Sequence, residues 1–363
     1  MAKMIDPWGK DEIKDYDKIV KDLGLGRFEK FVPKLKELPL FMKRGLVYGE
    51  RDFNKVYDAI KGKKKFAMLT GLMPSGKFHF GHMMLAREMI FYQKMGADCY
   101  IVVADIESYL TRGMPLEKAR EIAIEEYILN YIALGLKPKN CKIYFQSGCT
   151  PDYYKLSKMI SRYTTLNEMK DIYGELDTGK IVSVFTQIAD ILYPQLKENG
   201  GAKATIVPVG FDQLPHINLC RDIASKLKEF KFILPSATFH KFVPGLKGGK
   251  MSSSDPSSYI ALSDSPKIAE EKIKKHAFSG GRVSLKEHRE KGGNPDIDIS
   301  FQYLRLFFEK DDKKLKKLYD EYKGGKLLTG ELKNILIEKM GKFLEEHQKR
   351  REKARKELDK FLK

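Results

Sequence analysis

Continuous apolar runs alternate with stretches whose apolar positions repeat at helical spacing. Phe66 to Leu69 begins an apolar run that breaks at Gly71 and turns through Pro74, Ser75 and Gly76. It restarts as an apolar helix from Gly81 onward. Asp98 to Ala104 (DCYIVVA), Lys142 to Phe145 and Ala204 to Val209 (ATIVPV) have the composition of strands buried on both faces of a parallel sheet. Helical sequence lies between them, at Leu116 to Leu134, Tyr153 to Tyr163 and Ile181 to Leu192. This alternation predicts an α/β fold: right-handed crossovers building a Rossmann-like, doubly wound parallel sheet, with ligands beyond the carboxyl ends of the strands.

The ends of the chain read differently. Residues 1–60 are predicted to be a helical, amphipathic N-terminal extension, with a break at Gly24 and Gly26. After Asp255-Pro256 the strand-like runs stop and lysine-rich helical sequence continues to Lys363. The expected organisation is therefore an extension over 1–60, a catalytic domain over 61–255 and an all-helical C-terminal domain over 256–363. In Glu331 to Lys363, Leu332, Ile335, Leu336, Met340, Phe343 and Leu344 are spaced for one buried stripe. The charged tail HQKRREKARKELDK reads as a solvated helix face.

The strand, glycine-bearing turn and helix around Gly76 make a phosphate site, because a helix N-terminus offers unpaired N–H groups and the positive end of the macrodipole. His79 and His82 stand at its mouth with Gly81 between them. Taken alone, H-x-G-H also fits a pair of capping or solvated histidines. It fits a metal pair at i, i+3 as well, though no further ligand lies near enough in sequence to complete a set. A second motif lies far downstream: Lys250-Met251-Ser252-Ser253-Ser254, preceded by Gly245, Gly248 and Gly249. Otherwise that segment is a mobile, solvated loop. Beyond the strand ends come Asp105 and Glu107, then Gly210, Asp212, Gln213 and His216. Asp212 can accept from ribose hydroxyls, and Gln213 and Glu107 can hold an α-ammonium; singly, each is also a good turn or N-cap residue.

Lys+Arg 67 against Asp+Glu 49 gives a formal charge of +18, the sign expected for a protein that meets nucleic acid. A heat-adapted, charge-rich surface would carry the same runs, such as Lys61 to Lys65. No apolar run approaches the ~18 residues that span a bilayer, and MAKMIDPWGKDE lacks a signal-peptide layout, so a cytoplasmic protein without membrane contact is expected. Cys99, Cys141, Cys149 and Cys220 form no C-x-x-C pair and read as reduced thiols.

HxGH after the first strand and KMSSS after the last resemble the paired signatures of class I aminoacyl-tRNA synthetases. GFDQLPHINLCRD, from Gly210, is similar to a segment of the tryptophanyl-tRNA synthetases. HAFSGGR (His276 to Arg282), GGNPDIDISFQYL from Gly292, TGELK from Thr329, IDPW and DYDKIV resemble the archaeal and eukaryotic members, so that the likeness spans nearly the whole chain. It implies a tryptophan-tRNA ligase using ATP with Mg²⁺, L-tryptophan and tRNA(Trp), working as a homodimer, with no metal held by the protein itself. His79, His82, Lys250, Ser252, Ser253 and Ser254 would act on the phosphates; Gly81, Gly210, Asp212 and Met251 would hold ATP. Glu107, Gln187, Asp190 and Gln213 would hold the amino acid, and Phe278 and Arg282 would meet tRNA at its anticodon, unless Phe278 is a core residue between helices.

One departure concerns the indole. Where eukaryotic members carry a Tyr before Thr-Gly and a Gln on the second strand, this chain has Leu69 and Val102. Asp190 occupies the place from which bacterial members supply a carboxylate to the indole N–H. A single carboxylate acceptor suits one N–H donor and would equally take a phenolic hydroxyl, so the tyrosyl enzyme is the nearest alternative. Phenylalanine would leave that acceptor unpaired, a penalty of roughly 10⁴–10⁵ in such sites. A small nucleotidylyltransferase and a non-catalytic RNA-binding paralogue are the more distant alternatives.

Overall fold

Seven strands form one sheet in the order β1-β2-β7-β6-β3-β4-β5. They are β1 (Gly26–Arg27), β2 (Val47–Arg51), β3 (Phe66–Leu72), β4 (Asp98–Val103), β5 (Cys141–Phe145), β6 (Ala204–Gly210) and β7 (Ser236–His240). The computed structural model describes residues 15–251 and 255–362, so Ile5-Asp6-Pro7-Trp8 and Ser252 to Ser254 lie outside the described residues. From β7 to β5 the neighbours run parallel; β1 and β2 are antiparallel additions at one edge. The order turns back between β3 and β6, since β4 and β5 extend one way and β7 the other. In a doubly wound sheet the ligand crevice opens at such a switch point, here beyond Leu72 and Gly210.

The apolar runs are strands for the expected reason. Every residue of β3 except Gly71 is buried, and β4 is buried from Cys99 to Val103. Helices cover both faces, among them Phe80–Lys94, Asp105–Arg112, Pro151–Ile160, Leu166–Tyr173, Thr178–Leu192 and Leu214–Lys226. The stretch 116–134 is helical with a π-helical middle, Ala123–Ile128.

Three strands depart from the sequence expectation. The segment expected to be only helical contributes the short β1 and also β2, whose Val47, Gly49 and Glu50 are buried against β7. VYGER ends in two charged residues and has no apolar alternation, and pairing rather than side-chain pattern makes it a strand. β7, SATFH, is buried at all five positions despite being mostly polar. Its polar groups find partners inside: Ser236 Oγ donates to the Asp52 carbonyl, and Thr238 and His240 donate to Glu88. Satisfied hydrogen bonds remove the cost that normally keeps such residues at the surface.

Beyond Asp255 the described residues hold helices and no strand, among them the long helix Thr329–Arg355. Leu332, Leu336, Met340 and Leu344 of that helix form a buried stripe. It packs into the same core as the Phe80–Lys94 helix, with Phe80 against Tyr303, Phe307, Phe308 and Phe343. The charged tail is not simply a solvated face. His347 Nε2 donates to Asn130 Oδ1 at 2.7 Å, and Arg351 and Arg355 bind Glu125. Among the described residues no helix is long and apolar enough to cross a membrane.

Candidate active site

A cavity of about 490 Å³ opens at the switch point. It gathers His79, Gly81 and His82 after β3, Glu107 after β4, Gln187 and Asp190 from the Thr178–Leu192 helix, Gly210, Asp212 and Gln213 after β6, and Lys250 with Met251. Residues distant in sequence thus share one enclosure.

His79 is the N-cap of the Phe80–Lys94 helix, and the two histidines form a reciprocal capping box. The Gly81 amide donates to His79 Nδ1 at 3.1 Å, and the His79 amide donates to His82 Nδ1 at 3.2 Å. The capping and the phosphate readings are therefore compatible rather than rival. Burial pushes His79 down to about 4 and His82 well below its ordinary value, the second lowered further by the first. Both rings are neutral near pH 7. A neutral imidazole that accepts through Nδ1 carries its proton on Nε2, so each histidine keeps one N–H donor. The rings stack with centroids 3.9 Å apart, and Tyr259 lies 5.0 Å from His79. Gly81 gives this stack room: a Cβ there would press on it at 3.0 Å from His79 Cε1.

Across the cavity the Lys250 ammonium lies 3.4 Å from Asp212 Oδ2 and 4.4 Å above the Phe242 ring. A Cβ at Gly210 would collide with Asp212 Oδ1, so glycine is needed for this carboxylate to fold back. Met251 is buried beside Gly81.

The inner part of the cavity has apolar walls, including Leu69 and Val102, and a few polar groups. Asp190 is buried, and its carboxylate accepts from Tyr153 at 2.7 Å, Gln146 at 2.8 Å and Tyr144 at 3.2 Å. It is the centre of a network, not the lone acceptor the sequence suggests. A carboxylate has about four acceptor positions, so one remains. The three partners lie on β5, just after it and on the Pro151–Ile160 helix, where no sequence motif marks them. Burial lifts Asp190 to about 7 against the pull of these hydrogen bonds. Burial, and then the Asp190 charge, lift Glu107 to about 7 as well. Gln187 Nε2 donates to Gln213 Oε1 at 3.5 Å. His216 is buried and bonded to the Tyr173 hydroxyl, while Asp105 is spent on Ser147.

Phe278 and Arg282 do not line this cavity. Phe278 is 48% exposed, which removes the core reading, and it borders a neighbouring groove of about 970 Å³ with Lys241, Phe242 and Gly248. Its amide donates to the Leu246 carbonyl at 2.7 Å. Arg282 Nε donates to the Gly292 carbonyl at 3.0 Å.

Residues 61–345 match the family model of class I tRNA synthetases (W and Y). A tryptophan-tRNA ligase of Hyperthermus butylicus is 43% identical over 97% of this chain and 95% of its own length. One from Methanocaldococcus jannaschii is 42% identical over 98% of this chain and 97% of its own. The crystal structure of a tryptophanyl-tRNA synthetase from Aeropyrum pernix superposes with a TM-score of 0.90 at 43% identity, covering 96% of each chain. With His79 and His82 of one motif and Lys250 and Met251 of the other lining one cavity at the switch point of the sheet, the chain belongs to the tryptophan and tyrosine family of class I tRNA synthetases.

Proposed function

We infer that the chain is a tryptophan-tRNA ligase: the full-length similarity carries tryptophan over tyrosine, and the cavity supports the adenylate-forming chemistry. Two neutral histidine donors face the Lys250 ammonium across an enclosure with apolar walls and one deep carboxylate. The full-length similarity to tryptophan-tRNA ligases points the same way, and the tyrosyl alternative is not favoured.

The reaction runs in two steps. The tryptophan carboxylate attacks the α-phosphate of ATP in line, forming tryptophanyl-adenylate and releasing pyrophosphate. A ribose hydroxyl of the terminal adenosine of tRNA(Trp) then takes the acyl group and AMP leaves. No protein nucleophile is required; catalysis is positioning and charge stabilisation. ATP enters as its magnesium complex, with the ion carried by phosphates and water. His79 and His82 donate through Nε2–H to phosphate oxygens. Lys250, with Ser252, Ser253 and Ser254, closes over the departing pyrophosphate, and the preceding glycines let that loop move.

Asp212 holds the ribose, beside Gly81, Gly210 and Met251. The indole lies between Leu69 and Val102 with its N–H on the remaining acceptor position of Asp190. Glu107, Gln187 and Gln213 hold the α-ammonium. Phe278 and Arg282 meet unpaired bases of the tRNA anticodon, since an exposed aromatic stacks a base and an arginine bonds its edge. The enzyme works as a homodimer in the cytoplasm. Exposed Tyr109 and Val182, on helices that pack together, give a second copy an apolar surface, and light scattering at twice the chain mass would support this.

Charging of transcribed tRNA(Trp) and tRNA(Tyr) with labelled amino acids tests the assignment. Tryptophan should be attached to tRNA(Trp) alone; tyrosine attached to tRNA(Tyr) would move the chain to the sister activity.

A further inference from the structure

Glu88 lies on the Phe80–Lys94 helix, whose N-cap is His79, and it is fully buried. A carboxylate there is strongly disfavoured without partners. It finds them on β7. Thr238 Oγ1 donates to Glu88 Oε1 at 2.9 Å, and His240 Nε2 donates to Oε2 at 2.7 Å.

His240 ends β7, borders the cavity, and leads directly into the segment that carries Lys250. Two residues on, Phe242 supports the Lys250 ammonium. One carboxylate thus ties the helix bearing His79 and His82 to the strand that delivers the other signature. Replacing a buried ionisable pair by apolar groups of similar volume is often neutral or stabilising, so stability alone gives little reason for it. What two short hydrogen bonds add over an apolar contact is a fixed spacing and direction.

We propose that Glu88 and His240 form a positioning pair that sets the distance between the two signature motifs, so that their donors converge on one nucleotide. This rests on the ligase reading above. Neither residue need touch the substrates; both act through the elements they join.

The test uses the full chain with the substitutions E88Q, H240Q, H240L and the double change E88L/H240F, reading melting temperature, KM for tryptophan and kcat of pyrophosphate exchange. The double variant removes both polar groups together and so leaves no unpaired charge. It should lose about ten- to a hundredfold in kcat, the scale of an ångström-sized misplacement, with KM for tryptophan and melting temperature little changed, whereas E88Q, whose amide can accept from Thr238 and donate to the other His240 tautomer, should stay close to the unmodified rate. H240Q keeps a donor toward Glu88 and should stay close to the unmodified rate, whereas H240L should not. A double variant at full kcat, or losses that track melting temperature alone, would overturn the pair. No tryptophan-driven exchange in the unmodified chain would instead overturn the ligase reading.

Discussion

The Lys250 ammonium rests 3.4 Å from the Asp212 carboxylate, so the signature lysine and the group assigned to the ribose meet at one side of the cavity.

Lys250→Ala should slow adenylate formation by about 10²–10³, the usual loss when one charge-stabilising donor is removed. Tryptophan affinity should hardly change. Single-turnover rates measured beside equilibrium tryptophan binding separate the two, and equal losses in both would contradict a transition-state role.

Gly81→Ala should still lower the rate, by less than the lysine substitution, although it adds only a single methyl group. Its Cβ would stand 3.0 Å from His79 Cε1 and 3.1 Å from Nδ1, so the imidazole must give by a few tenths of an ångström, straining its stack on His82 and its bond from the Gly81 amide. A fall in kcat with retained tryptophan binding, read by exchange kinetics, is the expected result.

The histidines make the fold sensitive to acid. Burial lowers His79 to about 4, His216 to about 3 and His82 well below its ordinary value, whereas in the unfolded chain each titrates near 6.5. Between those values the unfolded state binds more protons, so stability is full above pH 6.5 and falls as pH drops toward 4. Melting temperature measured across that range should decline, and His216→Phe should flatten part of the decline. A curve unaffected by the substitution would contradict the burial of a neutral imidazole.

The carboxyls act in the opposite sense. Glu107 and Asp190 are lifted to about 7 from ordinary values of 4.5 and 3.8. The folded state therefore holds more protons between those limits, and their contribution to stability falls as pH rises toward 7. For binding, an ionised Glu107 is what an α-ammonium needs, so KM for tryptophan should drop as pH rises through about 7. Glu107→Gln should raise KM and remove that limb, as steady-state kinetics from pH 6 to 8.5 would record.

Much of the catalytic core was readable because burial on both faces imposes unbroken apolar runs, as in β3, β4 and the start of β6. The signature residues were readable as a paired motif. What sequence could not give was pairing inside the core. β7 is polar, and only Glu88, far away in the chain, explains how Thr238 and His240 can be buried. Asp190 was legible as a carboxylate, but its three donors sit on other elements, so its remaining capacity could not be counted. Phe278 shows the limit on the surface: its exposure depends on how the segment after Leu246 folds back, which residue pattern does not reveal.

The most direct test of the whole account is pyrophosphate exchange into ATP by the purified chain with each of the twenty amino acids. Exchange driven by tryptophan alone is the predicted result. Exchange driven by tyrosine, or by none of the twenty, would contradict it.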